Sequence, residues 1–204
     1  ELVPSVVSPD AAKQCAKEHF PDAAEPAWTL LLGGDGEGMK WSEEDFMTLA
    51  DRFLGEAAKA GKKVLVATSR RTPEDVETAL IGRFEKYEAF VSGAWFHASG
   101  GKTMPLLALF GVSERIIVTA DSVSMTNEAV AAGVPAVAVY PTQGTPKPRH
   151  EGQFSILENE GKLARTRLAG NESLGAITPA TGWHLVTGDQ HAALAQLALK
   201  RLGW

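Results

Sequence analysis

Five short apolar runs recur along the chain, each followed by a loop and then by a segment of helical period. No other feature constrains the fold as much. The runs are Trp28 to Leu32, the valine-rich Lys63 to Thr68, a weaker Ala89 to Val91, Arg115 to Thr119, and Pro135 to Val139. Near-continuous apolar runs of this length suit strands buried on both faces. Strands that alternate with helices imply right-handed βαβ units and a parallel sheet. The expected class is therefore α/β, a Rossmann-like parallel sheet flanked by helices.

The intervening segments carry the matching helical signals. In Ser42 to Ala60 the residues Phe46, Leu49, Ala50, Phe53, Leu54 and Ala57 form one stripe. Ser42 is placed to cap it, and Glu43, Glu44 and Asp45 suit the positive end of its dipole. Thr72-Pro73 reads as cap and first-turn proline of the next helix. Shorter helices are expected over Met104 to Phe110, Ser124 to Ala132 and Arg149 to Glu160, the last two stopped by Gly133 and Gly161. A helix from Pro9 to His19, capped by Ser8, precedes the first strand, and His191 to Leu202 closes the chain. The expected division is an N-terminal helix and linker over 1–27 and a nucleotide-binding domain over 28–204. Within the latter, 162–190 reads as irregular, with one short strand near Trp183 to Val186.

Composition removes several function classes. The net charge is -5, and the 20 basic residues form no basic run, so nucleic acid is not an expected partner. A lone cysteine, Cys15, excludes a disulfide framework and a thiolate zinc site. The longest uncharged stretch, Ala129 to Pro146, carries two glycines and three prolines and cannot be a membrane helix. The five histidines lack metal-ligand spacing, so no metal and no cofactor are expected. The chain starts at Glu1 without a basic-apolar leader, which reads as trimming or as a fragment.

In sheets of this kind ligands bind at the carboxyl ends of the strands, so chemistry is sought in the loops there. Gly33-Gly34-Asp35-Gly36-Glu37-Gly38 lets backbone amides approach a phosphate, although G-x-G-x-x-G fails at Met39. The bland alternative is a flexible turn. Ser69-Arg70-Arg71 beside a helix start forms an anion clamp, or else a solvated pair of arginines. Gly100-Gly101-Lys102-Thr103 is the tail of a P-loop, but Phe96 stands where the pattern needs glycine, so an ATPase is disfavoured. Asp121, Ser122 and Ser124 open a helix that carries Glu128. Its free amides and hydroxyls suit a phosphate, or Ser122 or Ser124 merely caps the helix. Glu128 lies at the margin of the apolar face, where a ribose diol or a structural arginine would partner it. Neither Tyr87 nor Tyr140 has a lysine four residues on, which argues against short-chain dehydrogenase or epimerase chemistry, and there is no G-x-S-x-G elbow.

The runs Thr119-Ala-Asp-Ser-Val-Ser-Met125 and Thr68-Ser-Arg-Arg-Thr-Pro73 together resemble the Elm-type mitochondrial fission family and its bacterial homologues. Leu32-Gly-Gly-Asp35, Trp41 and the stretch from Phe154 to Arg165 add to the likeness, which covers about residues 28–168. Bacterial members often bear the label nucleoside-diphosphate-sugar epimerase, a chemistry the missing Tyr-Lys pair disfavours. The family is similar to GT-B glycosyltransferases, whose C-terminal domain grips the sugar nucleotide. Met104-Pro105-Leu106 stands where an Asn-Pro-Tyr-like run is expected. The resemblance implies a nucleoside-diphosphate or nucleotide-sugar binding domain in which Gly33, Gly34, Asp35, Gly36, Ser122 and Ser124 hold phosphates. Ser69, Arg70 and Arg71 would offset diphosphate charge, Asp121 would sit in the site, and Glu128 would take the ribose. It further implies a cytoplasmic location, with the inner-membrane periphery as an alternative, and a separate N-terminal domain that supplies any general base. A non-catalytic interaction module of a fission or envelope assembly is the rival from another class.

Overall fold

A computed structural model describes residues 7–22, 25–98 and 105–177. In chain order the elements are α1 (Pro9–His19), β1 (Ala27–Leu32), β2 (Met39–Lys40), α2 (Glu43–Lys59), β3 (Val64–Thr68), α3 (Glu74–Glu85) and β4 (Val91–Trp95), followed by α4 (Leu106–Val112), β5 (Ser113–Thr119), α5 (Val123–Ala131), β6 (Ala136–Tyr140), β7 (Gln143–Gly144), α6 (Pro148–Asn159) and β8 (Leu163–Arg167). Six strands form one sheet in the order β4-β3-β1-β5-β6-β8, and every pairing in it is parallel. This is a Rossmann-like α/β fold.

Both faces of the sheet are covered, which explains why its central strands read as unbroken apolar runs. Along β1 successive residues enter opposite cores. Leu31 joins Leu65, Ile116, Val118, Ala136 and Ala138 under α1, α4, α5 and α6. Leu30 and Leu32 join Val64, Val66, Ile117 and Val137 under α2 and α3. Each fully buried leucine of this kind contributes about 1.5–3 kcal/mol. The N-terminal helix belongs to the first of these layers. A Cβ on Gly111 would come within 2.1 Å of the Ala12 carbonyl oxygen, so that glycine is what lets α4 and α1 meet backbone to backbone.

Most helix signals act as expected. Ser42 and Asp45 form a reciprocal capping box at the start of α2, and Ser8 accepts from Ala11 N–H at 3.2 Å. Gly133 and Gly161 end α5 and α6 with φ of 74° and 67°. Three features differ. Thr72 does not cap α3, whose first turn has no side-chain cap. Its hydroxyl donates instead to the carbonyls of Leu32 and Gly33, at 3.1 and 2.6 Å. The stretch over 162–190 is not irregular at its start: β8 adds there, with Leu163 and Ala164 buried against β6. The arginines and threonine of Leu-Ala-Arg-Thr-Arg hide the strand, because among the described residues its outer edge pairs with no further strand. The third strand begins at Val91 and runs to Trp95, later than the apolar pair suggested. The expected strand near Trp183 and helix from His191 lie outside the described residues.

Candidate functional site

The sheet order reverses between β1 and β5, because the chain leaves β1 toward β3 and β4 and then returns to the other side. That switch point is where a parallel sheet opens a crevice at its carboxyl end. The glycine loop follows β1 here, the arginine loop follows β3, and Asp121 follows β5. The structure brings all of them together.

Asp121 is the hub. Its side chain is 1% exposed, and Oδ2 accepts from the Gly34 N–H at 3.1 Å and from the Arg71 guanidinium at 2.6 Å. The Gly33 N–H donates to the Thr119 hydroxyl at 2.7 Å. The protein's own carboxylate thus takes one of the amides that the sequence offers to a phosphate. The fit needs glycine: a Cβ on Gly33 would lie 2.1 Å from Asp121 Oδ2, and one on Gly34 would lie 2.1 Å from the Arg71 carbonyl oxygen. Burial pushes the Asp121 carboxyl above its ordinary value, against the opposing pull of Thr119, the Gly34 N–H and Arg71. Asp121 Oδ1 is buried without a hydrogen-bond partner among the described residues. Asp35 is turned to local work, accepting from the Trp41 N–H at 2.8 Å, and the Gly36 N–H closes a turn onto the Met39 carbonyl at 3.2 Å.

The amino end of α5 is arranged differently. Ser122 is buried and caps the helix, accepting from the Met125 N–H at 3.4 Å. Ser124 is exposed. Glu128, one turn further on, is half-buried, and its side chain makes no hydrogen bond or ion pair among the described residues. Desolvation alone raises its carboxyl above the ordinary glutamate value. Among the described residues the structural arginine that would have explained Glu128 is therefore not there. The side-chain oxygen of its neighbour Asn127 is also buried and without a partner among the described residues.

Ser69 accepts from the Arg71 N–H at 3.2 Å and so shapes the arginine loop. Arg70 is exposed and has no ion pair among the described residues. Residues 99–104, which include the P-loop-like Gly101 to Thr103, lie outside the described residues.

Sequence spacing did not single out His150. It is 2% exposed in the first turn of α6 and lies against Phe154 with ring centroids 4.3 Å apart and the rings tilted by 43°. Burial lowers its basicity, while the Ala120 backbone and the charges of Glu37, Glu151 and Asp121 pull the other way. Only the fold, not a motif, carries it to the switch point. Among the described residues no group of three or more His, Cys, Asp or Glu is placed to hold a metal ion, and no helix is long and apolar enough to cross a membrane.

An open cavity of about 490 Å³ lies at the amino ends of the strands, between Phe20, Ala27, Lys63 and Leu65. It is far from the loops that a parallel sheet uses for ligands. A second, of about 710 Å³, lies at the carboxyl ends of β6 and β8.

Topology and switch-point loops define the class: a Rossmann-like α/β domain with its candidate site at the carboxyl edge of β1, β3 and β5. The sequence profile of the mitochondrial fission ELM1 family matches residues 3–201, and the chain belongs to that family. No curated protein sequence matches it.

Among solved structures it is similar to GT-B glycosyltransferases. Escherichia coli ADP-heptose LPS heptosyltransferase II matches with a TM-score of 0.48 and 17% identity, over 93% of this chain and 53% of that one. The UDP-forming α,α-trehalose-phosphate synthase of Burkholderia xenovorans matches with a TM-score of 0.47 and 15% identity, over 81% of this chain and 40% of that one. MurG of Acinetobacter baumannii gives 0.45 and 17%, over 81% and 44%. The chain spans about half the length of these structures or less, and at such identities the likeness is one of fold.

Proposed function

We propose that the crevice at the carboxyl ends of β1, β3 and β5 binds a nucleoside diphosphate or its sugar ester. The observation that carries this reading is Glu128. A half-buried carboxylate with no partner among the described residues is costly, and two vicinal hydroxyls of a ribose would satisfy it. The diphosphate then falls one helical turn away, at the amino end of α5. There the amides of Val123 and Ser124 and the Ser124 hydroxyl face a favourable dipole. Arg70, exposed and without an ion pair among the described residues, and Arg71, half exposed beside Asp121, offset the negative charge. Gly33, Gly34, Asp35, Gly36, Ser69, Asp121 and Ser122 take a second role in this reading. They form the rigid wall that positions those groups, because most of their donors and acceptors are engaged within the protein, Asp121 Oδ1 being the exception.

The names of the similar structures, a heptosyltransferase and a UDP-forming synthase among them, are in keeping with a nucleotide-sugar ligand. Calorimetry with UDP, GDP and ADP tests the proposal. Saturable heat with at least one of them supports it, and flat traces for all three at high micromolar protein refute it and favour an interaction module.

A further inference from the structure

The cavity of about 710 Å³ beside β6 and β8 has a built wall. The Tyr140 hydroxyl donates to Glu151 Oε2 at 3.1 Å, and Arg165 bridges Glu151 and Glu158. Tyr140 is 6% exposed, and its hydroxyl is pushed up to about 12, chiefly by burial, so it stays a neutral donor. These groups satisfy one another and fix the shape. Other lining groups remain unused. Arg167 lies over the Tyr140 ring at 5.9 Å from its centroid and has no carboxylate partner among the described residues. The side chains of Thr145 and Asn171 likewise make no hydrogen bond among them.

Charge decides which ligand class fits. Glu151, Glu158 and Glu172 face Arg165 and Arg167, so three carboxylates against two guanidiniums leave one negative charge. A phosphate is disfavoured there. A neutral group bearing several hydroxyls meets scattered donors and acceptors and adds no negative charge to the one already there. The volume lies in the range of small-ligand sites, about 300–1,000 Å³.

We infer that the cavity lined by Tyr140, Thr145, Arg167 and Asn171 is a sugar-binding subsite. It takes a neutral pyranose-like ring, either the sugar of the nucleotide ester or that of an acceptor. The inference deepens the nucleotide-sugar reading and rests on it only for the first of these sources.

The test has two arms on the whole chain, each run with Arg167→Ala and with Asn171→Ala. In the first, amide NMR follows titration with millimolar glucose, mannose or N-acetylglucosamine, and separately with inorganic phosphate. Shifts clustered at residues 140–145 and 165–171 with a sugar but not with phosphate, lost in the variants, support the subsite. In the second, calorimetry compares a nucleoside diphosphate with its sugar ester. Loss of about tenfold in affinity for the ester alone on Arg167→Ala assigns the cavity to the ester's sugar. An unchanged ester beside lost free-sugar shifts assigns it to an acceptor. If no nucleotide binds but the free-sugar shifts persist, the nucleotide reading fails and the subsite stands. Absence of sugar shifts at those residues with no selective effect on the ester, or equal weakening of nucleotide and ester by Arg167→Ala, overturns the subsite.

Discussion

The glycine loop and the start of α5 face each other across the switch point, yet they treat their polar groups in opposite ways. In the glycine loop nearly everything is spent internally. Thr119, Asp121 and Thr72 take up the N–H groups of Gly33 and Gly34 and the carbonyl of Gly33. On α5, Ser124 and Glu128 are left without partners among the described residues. A glycine-rich run therefore does not by itself mark a phosphate cradle, because close approach of another protein loop demands glycine equally well. Unspent polar groups are the better guide to where a ligand goes.

The contrast predicts that substitutions on the glycine side act on stability and those on the α5 side act on binding. Gly34→Ala should have the largest effect, because its Cβ would meet backbone, the Arg71 carbonyl oxygen at 2.1 Å, which cannot swing aside. Overpacking of this kind costs about 1–3 kcal/mol and at times more, to be read from the urea midpoint. Asp121→Ala comes next. It strands the buried Gly34 N–H and releases Arg71, and should cost about 1–3 kcal/mol in the same assay. Nucleotide affinity lost with no change in either midpoint would break the comparison. The arginines should split. Arg71→Ala should lower the midpoint and weaken diphosphate binding together. Arg70→Ala should leave the midpoint alone and weaken a diphosphate by about 1.5 kcal/mol relative to the nucleoside.

The sheet was legible because its central strands are buried on both faces, and the capping residues marked α1 and α2. Strand β8 was not legible: Arg165 and Arg167 break the apolar run at the sheet's edge. Thr72 looked like a cap because its sequence context, Thr-Pro before an acidic turn, fits one; only the approach of β1's end gives its hydroxyl a better use. The three loops were legible as a set through their place after strands. What they do to each other was not, because the Asp121–Gly34–Arg71 contacts join residues 50 and 87 apart in sequence. His150 carries no spacing signal at all.

In the proposed site, Glu128 has no partner among the described residues because its partner is a ligand. Desolvation raises its folded-state carboxyl above the unfolded value. The folded state thus holds the proton more tightly, so this contribution to stability is fully present below the unfolded glutamate value and is lost as pH rises through the folded one. Glu128→Gln should flatten that decline and leave the neutral-pH midpoint equal to or above wild type. The decisive measurement is calorimetry of Glu128→Gln and wild type against a ribonucleoside diphosphate and its dideoxy analogue. A ribose-binding role for Glu128 predicts a loss of about 1.4 kcal/mol, tenfold, for the ribonucleotide and little change for the analogue. A lowered midpoint with both ligands bound as in wild type would contradict it and make Glu128 a structural residue.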